Sequence, residues 1–190
     1  MLDRRSVVQQ LLTAHDGGLV VSGLGGTTWD VAACGDSERY FYLWGAMGCA
    51  AVVGLGLALA RPDERVMVVT GDGEMLMGMG SLASVALQRP GNLTIAVIDN
   101  EHYGETGGQP SHTGAGVDLA AAAAAAGIKR ACAVRDSGEL ATFCTTMIEH
   151  HEPQFVVIKV SPEQPSMVLP SRDGHFLKKR FRQALGTNAT

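Results

Sequence analysis

Two short runs constrain this chain more than anything else in it: RVMVVT at 65–70 and LTIAVID at 93–99. Both are almost wholly apolar, without the alternation of a strand that has one wet face. Each predicts a strand covered on both sides. The stretch between them, GDGEMLMGMGSLASVALQRPGN, has a helical centre over 80–88 and ends in Pro-Gly-Asn. Strand, helix and strand in that order make a crossover unit, and such units join parallel strands. The same alternation runs through most of the chain. Helices are predicted over 4–14, 29–33, 47–60, 80–88, 119–126, 138–149 and 175–184, and strands over 19–21, 40–43, 65–70, 93–99, 131–134 and 154–160. Asp118 and Ser137 are the expected N-caps of the helices they precede, and Gly127 is the expected stop of the first. The seven alanines at 120–126 read as a high-propensity helix held close to a sheet. The fold class is therefore α/β, an open parallel sheet with helices on both faces. Ligands in such folds lie beyond the carboxyl ends of the strands. Gly25, Gly45, Asp72 and Asn100 each follow a predicted strand, so they are expected on one edge of the sheet.

Composition narrows the function. With 190 residues, 46% of them apolar and 18% charged, there is room for one domain with a good core. A net charge of -4 and 5% aromatic residues argue against a nucleic-acid surface. The longest apolar segment, GAMGCAAVVGLGLALA, is small-residue-rich and too short to span a bilayer, so it reads as a closely packed buried helix and no membrane partner is expected. The first residues, MLDRRSVVQQLLTAHDGG, form an amphipathic segment, not a secretory signal, and the expected location is cytoplasmic. Cys34, Cys49, Cys132 and Cys144 make no CxxC pair, which argues against structural zinc. Cys49, Cys132 and Cys144 have apolar neighbours and read as buried free thiols.

Asp72 sits between two glycines at the end of one strand, and Asn100 at the end of the next. A carboxylate and an amide oxygen suit Mg²⁺, which takes few protein oxygens and leaves positions for phosphate. Gly71 and Gly73 allow close approach, and the helix start near Glu74 offers amides to phosphate. Gly-Asp-Gly alone is a common turn, and a lone asparagine can simply cap a strand end. Both together, with the glycine-rich turn at 23–26, favour a metal–diphosphate site. The chain has no GxxxxGK[ST] segment, and GLGGTT at 23–28 carries Thr28 where a dinucleotide fingerprint needs glycine.

The GDG…DN stretch resembles the thiamine diphosphate motif. Together with FYLWGAMGCAAVVGLGLALA and NLTIAVIDNEHYGETGGQPSHT, it makes the chain similar to the thiamine diphosphate-dependent decarboxylases, in particular those acting on sulfopyruvate and phosphonopyruvate. The resemblance implies a thiamine diphosphate-binding fold, with Asp72, the Asn100 side chain and the His102 main-chain carbonyl holding Mg²⁺. It places Gly25, Gly26 and Thr27 on the diphosphate loop. Gly45, Ala46 and Met47 support the bent cofactor, with Met47 as an apolar wedge under its rings and the Gly45 carbonyl accepting from its amino group. Gly71, Gly73, Glu74, Tyr103 and Gly104 complete the cofactor contacts, although Glu74 stands where Ser or Ala is commoner.

Members of this family also use a pyrimidine-binding domain that supplies a catalytic glutamate. Residues 1–190 have room for the diphosphate-binding domain only, so the glutamate is expected from a partner subunit. The implied reaction converts a small 2-oxo acid, such as sulfopyruvate, to CO₂ and an aldehyde. A carboligase subunit of the acetolactate-synthase type and a non-catalytic assembly subunit stay open as alternatives. His112 is the candidate proton relay. It lies on a glycine-rich loop expected to close over the site. Thr106 and Gln109 are neutral candidates for holding a carboxylate or sulfonate. No Lys or Arg occurs over 101–128, and Lys129 and Arg130 fall at the start of a strand, on the far edge. The basic segment LKKRFRQAL near the end reads as a solvated helix.

Overall fold

The computed structural model describes residues 1–149 and 151–187. In chain order its elements are α1 (Arg4–His15), β1 (Leu19–Ser22), α2 (Gly26–Ala33), β2 (Tyr40–Tyr42), α3 (Ala50–Ala60), β3 (Val66–Gly71), α4 (Asp72–Met77), α5 (Ser81–Gln88), β4 (Leu93–Asp99), β5 (His102–Tyr103), β6 (Gln109–Pro110), α6 (Leu119–Ala125), β7 (Arg130–Val134), α7 (Ser137–Thr146), β8 (Gln154–Lys159) and α8 (Gly174–Ala184). Six strands form a parallel sheet in the order β2-β1-β3-β4-β8-β7. The α/β class expected from the strand–helix alternation is what forms. β5 and β6 add a small antiparallel hairpin beyond the end of β4.

The strand order places the site. From β1 the chain moves outward to β2, then returns across β1 to β3 and continues to β4. The direction reverses between β1 and β3, and at such a switch point the two connections leave on opposite faces and open a crevice. Accordingly α2 packs with α1 on the face built from Val20, Met67, Val69, Ala96 and Ile98. α3 packs on the other, against Leu19, Val21, Val66 and Val68. β4 is buried at all seven residues, because helices cover both its faces.

The small residues of α3 serve close packing. Ala50, Ala51, Gly54 and Ala58 face the sheet, and a Cβ on Gly54 would overlap the Val68 side chain. The helix begins at Ala50, three residues later than expected. Positive φ at Gly45 (77°) and Gly48 (90°) keeps 44–49 as a turn. α2 begins at Gly26, earlier than expected, directly after Gly25 at φ 73°.

Four expectations are corrected. Asp136, not Ser137, caps α7: its carboxylate accepts from the Gly138 and Glu139 amides, both at 2.9 Å, which leaves Ser137 as the first helical residue. Cys49 and Cys132 are exposed and Cys144 is half-buried. Cys132 lies on the edge strand β7, where Ala131 and Ala133 face the core and Cys132 alternates away from it. β7 as a whole is only partly covered, unlike the strands inside the sheet. Finally, α8 is docked. Leu177 and Phe181 are buried, Phe181 meets Phe41 with ring centroids 5.4 Å apart, and Arg180 bonds Asp36 at 2.6 and 3.1 Å. α8 therefore covers the β2 edge, a side of the sheet that would otherwise offer unpaired backbone. Among the described residues no helix is long and apolar enough to cross a membrane.

Candidate functional site

Four connections meet at the carboxyl edge and line one cavity of about 210 Å³. After β1, the Gly23 amide still bonds Val69 O at 3.0 Å, so the chain leaves the sheet late. Thr28 Oγ1 donates to Gly23 O at 2.7 Å and meets Ser22 Oγ at 2.9 Å, which ties the turn back to the strand. After β2, Trp44 donates from Nε1 to Ser171 O at 2.8 Å, and Arg172 stacks over its ring. After β3, Asp72 opens α4. After β4, Glu101 adopts φ 62°, a left-handed conformation that costs a non-glycine residue about 1 kcal/mol. Lys159 holds it there, with Nζ 2.7 Å from Glu101 Oε1 and 2.7 Å from Asp99 Oδ2.

Twelve of the residues expected to hold cofactor or metal line the cavity: Gly25, Gly26, Thr27, Met47, Gly71, Asp72, Gly73, Glu74, Asn100, His102, Tyr103 and Gly104. Gly45 and Ala46 belong to the same turn as Met47 but are not among its lining residues, and neither is His112. His112 lies at the rim, its Nδ1 3.3 Å from the Tyr103 hydroxyl. Thr106 lines the cavity, whereas Gln109 does not; the two bond each other through Thr106 Oγ1 (2.9 Å) and Gln109 Nε2 (2.8 Å). Gly73 is glycine because the Tyr103 ring lies against it: an added Cβ would overlap Cε1 and Cδ1. Gly71, by contrast, has open space around it.

Asp72 is 2% exposed and is held from the far side by hydroxyls. Ser111 and Thr113 both donate to its Oδ2, Thr113 at 3.1 Å, and Thr113 also reaches Asp99 Oδ1 at 2.8 Å. Burial pushes the Asp72 carboxyl above its usual range; Ser111 and Thr113 oppose the rise and the neighbouring Asp99 charge adds to it. Asn100 Oδ1 accepts from the His102 amide at 3.1 Å, and His102 Nδ1 lies 2.8 Å from Asn100 O, so the turn after β4 is locked. Glu74 is 4% exposed, and its Oε2 accepts from Leu24 N at 3.0 Å and Thr70 Oγ1 at 2.9 Å. Burial raises its pKa as well, against those bonds. Its carboxylate thus fastens the β1 turn to α4, a role its position in the motif did not suggest.

Two kinds of residue escaped the sequence reading. Ser111, Thr113 and Lys159 act on Asp72 and Asp99 from distant segments. Arg4 and Gln164 line the cavity from the first helix and from the segment after β8. Their only local signal is polarity at the end of an element.

The donor set suits a magnesium diphosphate. Among the described residues no cluster of three or more His, Cys, Asp or Glu side chains could hold a metal alone. A cation beside Asp72 and Asn100 would take its remaining oxygens from main-chain carbonyls, water or a ligand such as a diphosphate. The cavity is also lined by Arg4, whose buried Nη2 lacks a protein partner.

Fold and site define a diphosphate-binding α/β domain. Residues 25–158 match the family described as thiamine pyrophosphate enzyme, C-terminal TPP binding domain, and the chain belongs to that family. It is 39% identical over 165 residues to a phosphonopyruvate decarboxylase of Streptomyces hygroscopicus, covering 86% of this chain and 41% of that protein. It is 39% identical over 127 residues to sulfopyruvate decarboxylase subunit beta of Methanothermobacter thermautotrophicus, covering 67% of this chain and 68% of that subunit. The chain thus spans under half of the first relative and about two thirds of the second. The fold also matches benzoylformate decarboxylase from Polynucleobacter necessarius, with a TM-score of 0.68 at 17% identity over 86% of this chain and 34% of that one.

Proposed function

We propose that residues 1–190 form a single domain that is the cofactor-binding subunit of a thiamine diphosphate-dependent 2-oxo acid decarboxylase. The observation that carries this reading is the convergence of the Gly25–Thr27, Met47, 71–74 and 100–104 segments on one cavity at the switch point. The relatives' names add the reaction class and a small 2-oxo acid bearing a second anion, such as sulfopyruvate.

Asp72, the Asn100 side chain and the His102 carbonyl hold Mg²⁺. The turn over 25–27 and the start of α4 take the diphosphate. Met47 supports the rings from the turn that also carries Gly45 and Ala46. Thiamine diphosphate, when bound, supplies the electron sink that lets a 2-oxo acid lose CO₂. The hairpin loop after Asn100 shields the reacting end from water. Tyr103 lines the cavity, and His112 at its rim exchanges a proton with the Tyr103 hydroxyl, linking the interior to the surface.

A partner subunit with a pyrimidine-binding domain completes the site and supplies the glutamate. One surface supports this. α3 has no charged residue, yet Val52 and Leu59 are 42% and 48% exposed, with Met77 and Leu87 also open on the neighbouring α4 and α5. A helix that is apolar all round belongs in an interface.

The test is co-purification with such a subunit, followed by Mg²⁺, thiamine diphosphate and a panel of 2-oxo acids. CO₂ release by the mixture and not by either chain alone is expected. Turnover by this chain alone sinks the shared site. Absence of decarboxylation across the panel, with cofactor bound, sinks the reaction.

A further inference from the structure

Arg4 opens α1, a helix anchored in the core by Val7, Val8, Leu11 and Leu12. The residue is 5% exposed, and its Nε donates to Asp30 Oδ2; Asp30 is itself fully buried. Arg5 bonds the other Asp30 oxygen at 3.1 Å and turns its Nη2 outward to Ser166 O at 2.6 Å. One carboxylate therefore faces two guanidinium groups, and the trio keeps a net positive charge beside the cavity. Arg4 Nη2 is buried and has no hydrogen-bond partner. A buried charged donor in that state is costly unless something else satisfies it.

The surroundings indicate what does. Arg4 lines the same cavity as Asp72 and Asn100. It lies against Gly26, the first residue of α2, where an added Cβ would be 2.5 Å from Nη1. No side chain caps α2, and its start at Gly25–Thr27 opens on the cavity. A guanidinium edge beside an uncapped helix N-terminus is a site for a tetrahedral oxyanion.

We infer that Arg4 is an anion-binding residue of the cofactor pocket, turning the Nη edge of its guanidinium to an oxygen of the terminal phosphate while its Nε stays on Asp30. The inference rests on the thiamine diphosphate reading above. It assigns Arg4 to the phosphate end because Gly26, on the diphosphate turn, is the backbone it abuts. Arginine suits the two partners because its donors are spread along a rigid fork, Nε toward Asp30 and the Nη atoms beyond it, a span that the point charge of a lysine does not cover.

Magnesium pyrophosphate is the probe, because it reports on the diphosphate end without a partner subunit or turnover. Its affinity is measured by calorimetry on the full chain for wild type, Arg4→Gln, Arg4→Lys and Asp72→Ala. Arg4→Gln is expected to weaken binding roughly 10- to 100-fold, with Arg4→Lys losing about tenfold, while Asp72→Ala abolishes it. Wild-type affinity in Arg4→Gln, with binding still lost in Asp72→Ala, overturns the role of Arg4 and leaves the cofactor reading standing. No binding by wild type, or binding indifferent to Asp72→Ala, removes the cofactor reading and this inference with it. Should Arg4→Gln fail to fold by circular dichroism, Arg4→Lys decides: it keeps the charge opposite Asp30, and unchanged affinity there overturns the inference.

Discussion

Gly23 and Glu74 are coupled through a space too small for one carbon atom. A Cβ on Gly23 would land on Glu74 Oε2, the oxygen that accepts from Leu24 N at 3.0 Å and Thr70 Oγ1 at 2.9 Å. Gly23 lies outside the left-handed region, so alanine there carries no backbone strain. The cost of Gly23→Ala must come from pushing the carboxylate aside. Glu74 is 4% exposed, so its tip cannot reach water without losing both bonds. Each bond to a buried carboxylate is worth about 1.5 kcal/mol, which puts Gly23→Ala at about 3 kcal/mol in the wild-type background. In a Glu74→Ala background the obstacle is gone, and the same substitution should cost under about 0.5 kcal/mol. The coupling energy of the cycle is then about 2.5 kcal/mol, well above the scatter of independent sites. Urea denaturation of the four proteins, followed by far-UV circular dichroism, measures it. As a melting shift, Gly23→Ala alone should lower Tm by roughly 6–12 °C for a domain of this size. Equal costs in the two backgrounds would show that Glu74 does not fasten the β1 turn.

Three further outcomes follow from the same contacts. His15 is 2% exposed and burial pushes its pKa down to about 4 from 6.5, which amounts to about 3 kcal/mol. The unfolded chain takes up that proton first, so this stability is full above pH 6.5 and is lost as pH falls toward 4; a wild-type profile parallel to that of His15→Gln contradicts it. Lys159→Met leaves Asp99, 1% exposed, without its cation and should cost about 2 kcal/mol in urea denaturation, less than a fully buried pair because Lys159 is 28% exposed. Thr113→Val removes a hydroxyl from both Asp72 and Asp99 and should weaken Mg²⁺-dependent cofactor binding roughly tenfold or more; an unchanged Mg²⁺ titration argues against that supporting role.

Local chemistry wrote most of the scaffold into the chain in readable form. Strands such as 66–71 and 93–99 announce themselves because burial on both faces demands continuous apolar residues. Asp72 and Asn100 were legible because a parallel sheet brings strand ends together whatever the rest of the fold does. Elements at the margin read less well. β7 is an edge strand, so its alternation leaves Cys132 exposed, and the basic face of α8 hides the pair, Leu177 and Phe181, that docks it.

What holds the site together was not legible, because it depends on pairs far apart in sequence. Ser111 reaches Asp72 across 39 residues and Arg4 reaches Asp30 across 26. Neither pair leaves a period or a spacing, since each is set by where two loops or two helices land on the sheet. Glu74 shows the difference most clearly. In the sequence it is a departure from a phosphate-binding pattern; in the folded chain it is the tie between two connections, because the missing side chain of Gly23 leaves its carboxylate room to reach Leu24.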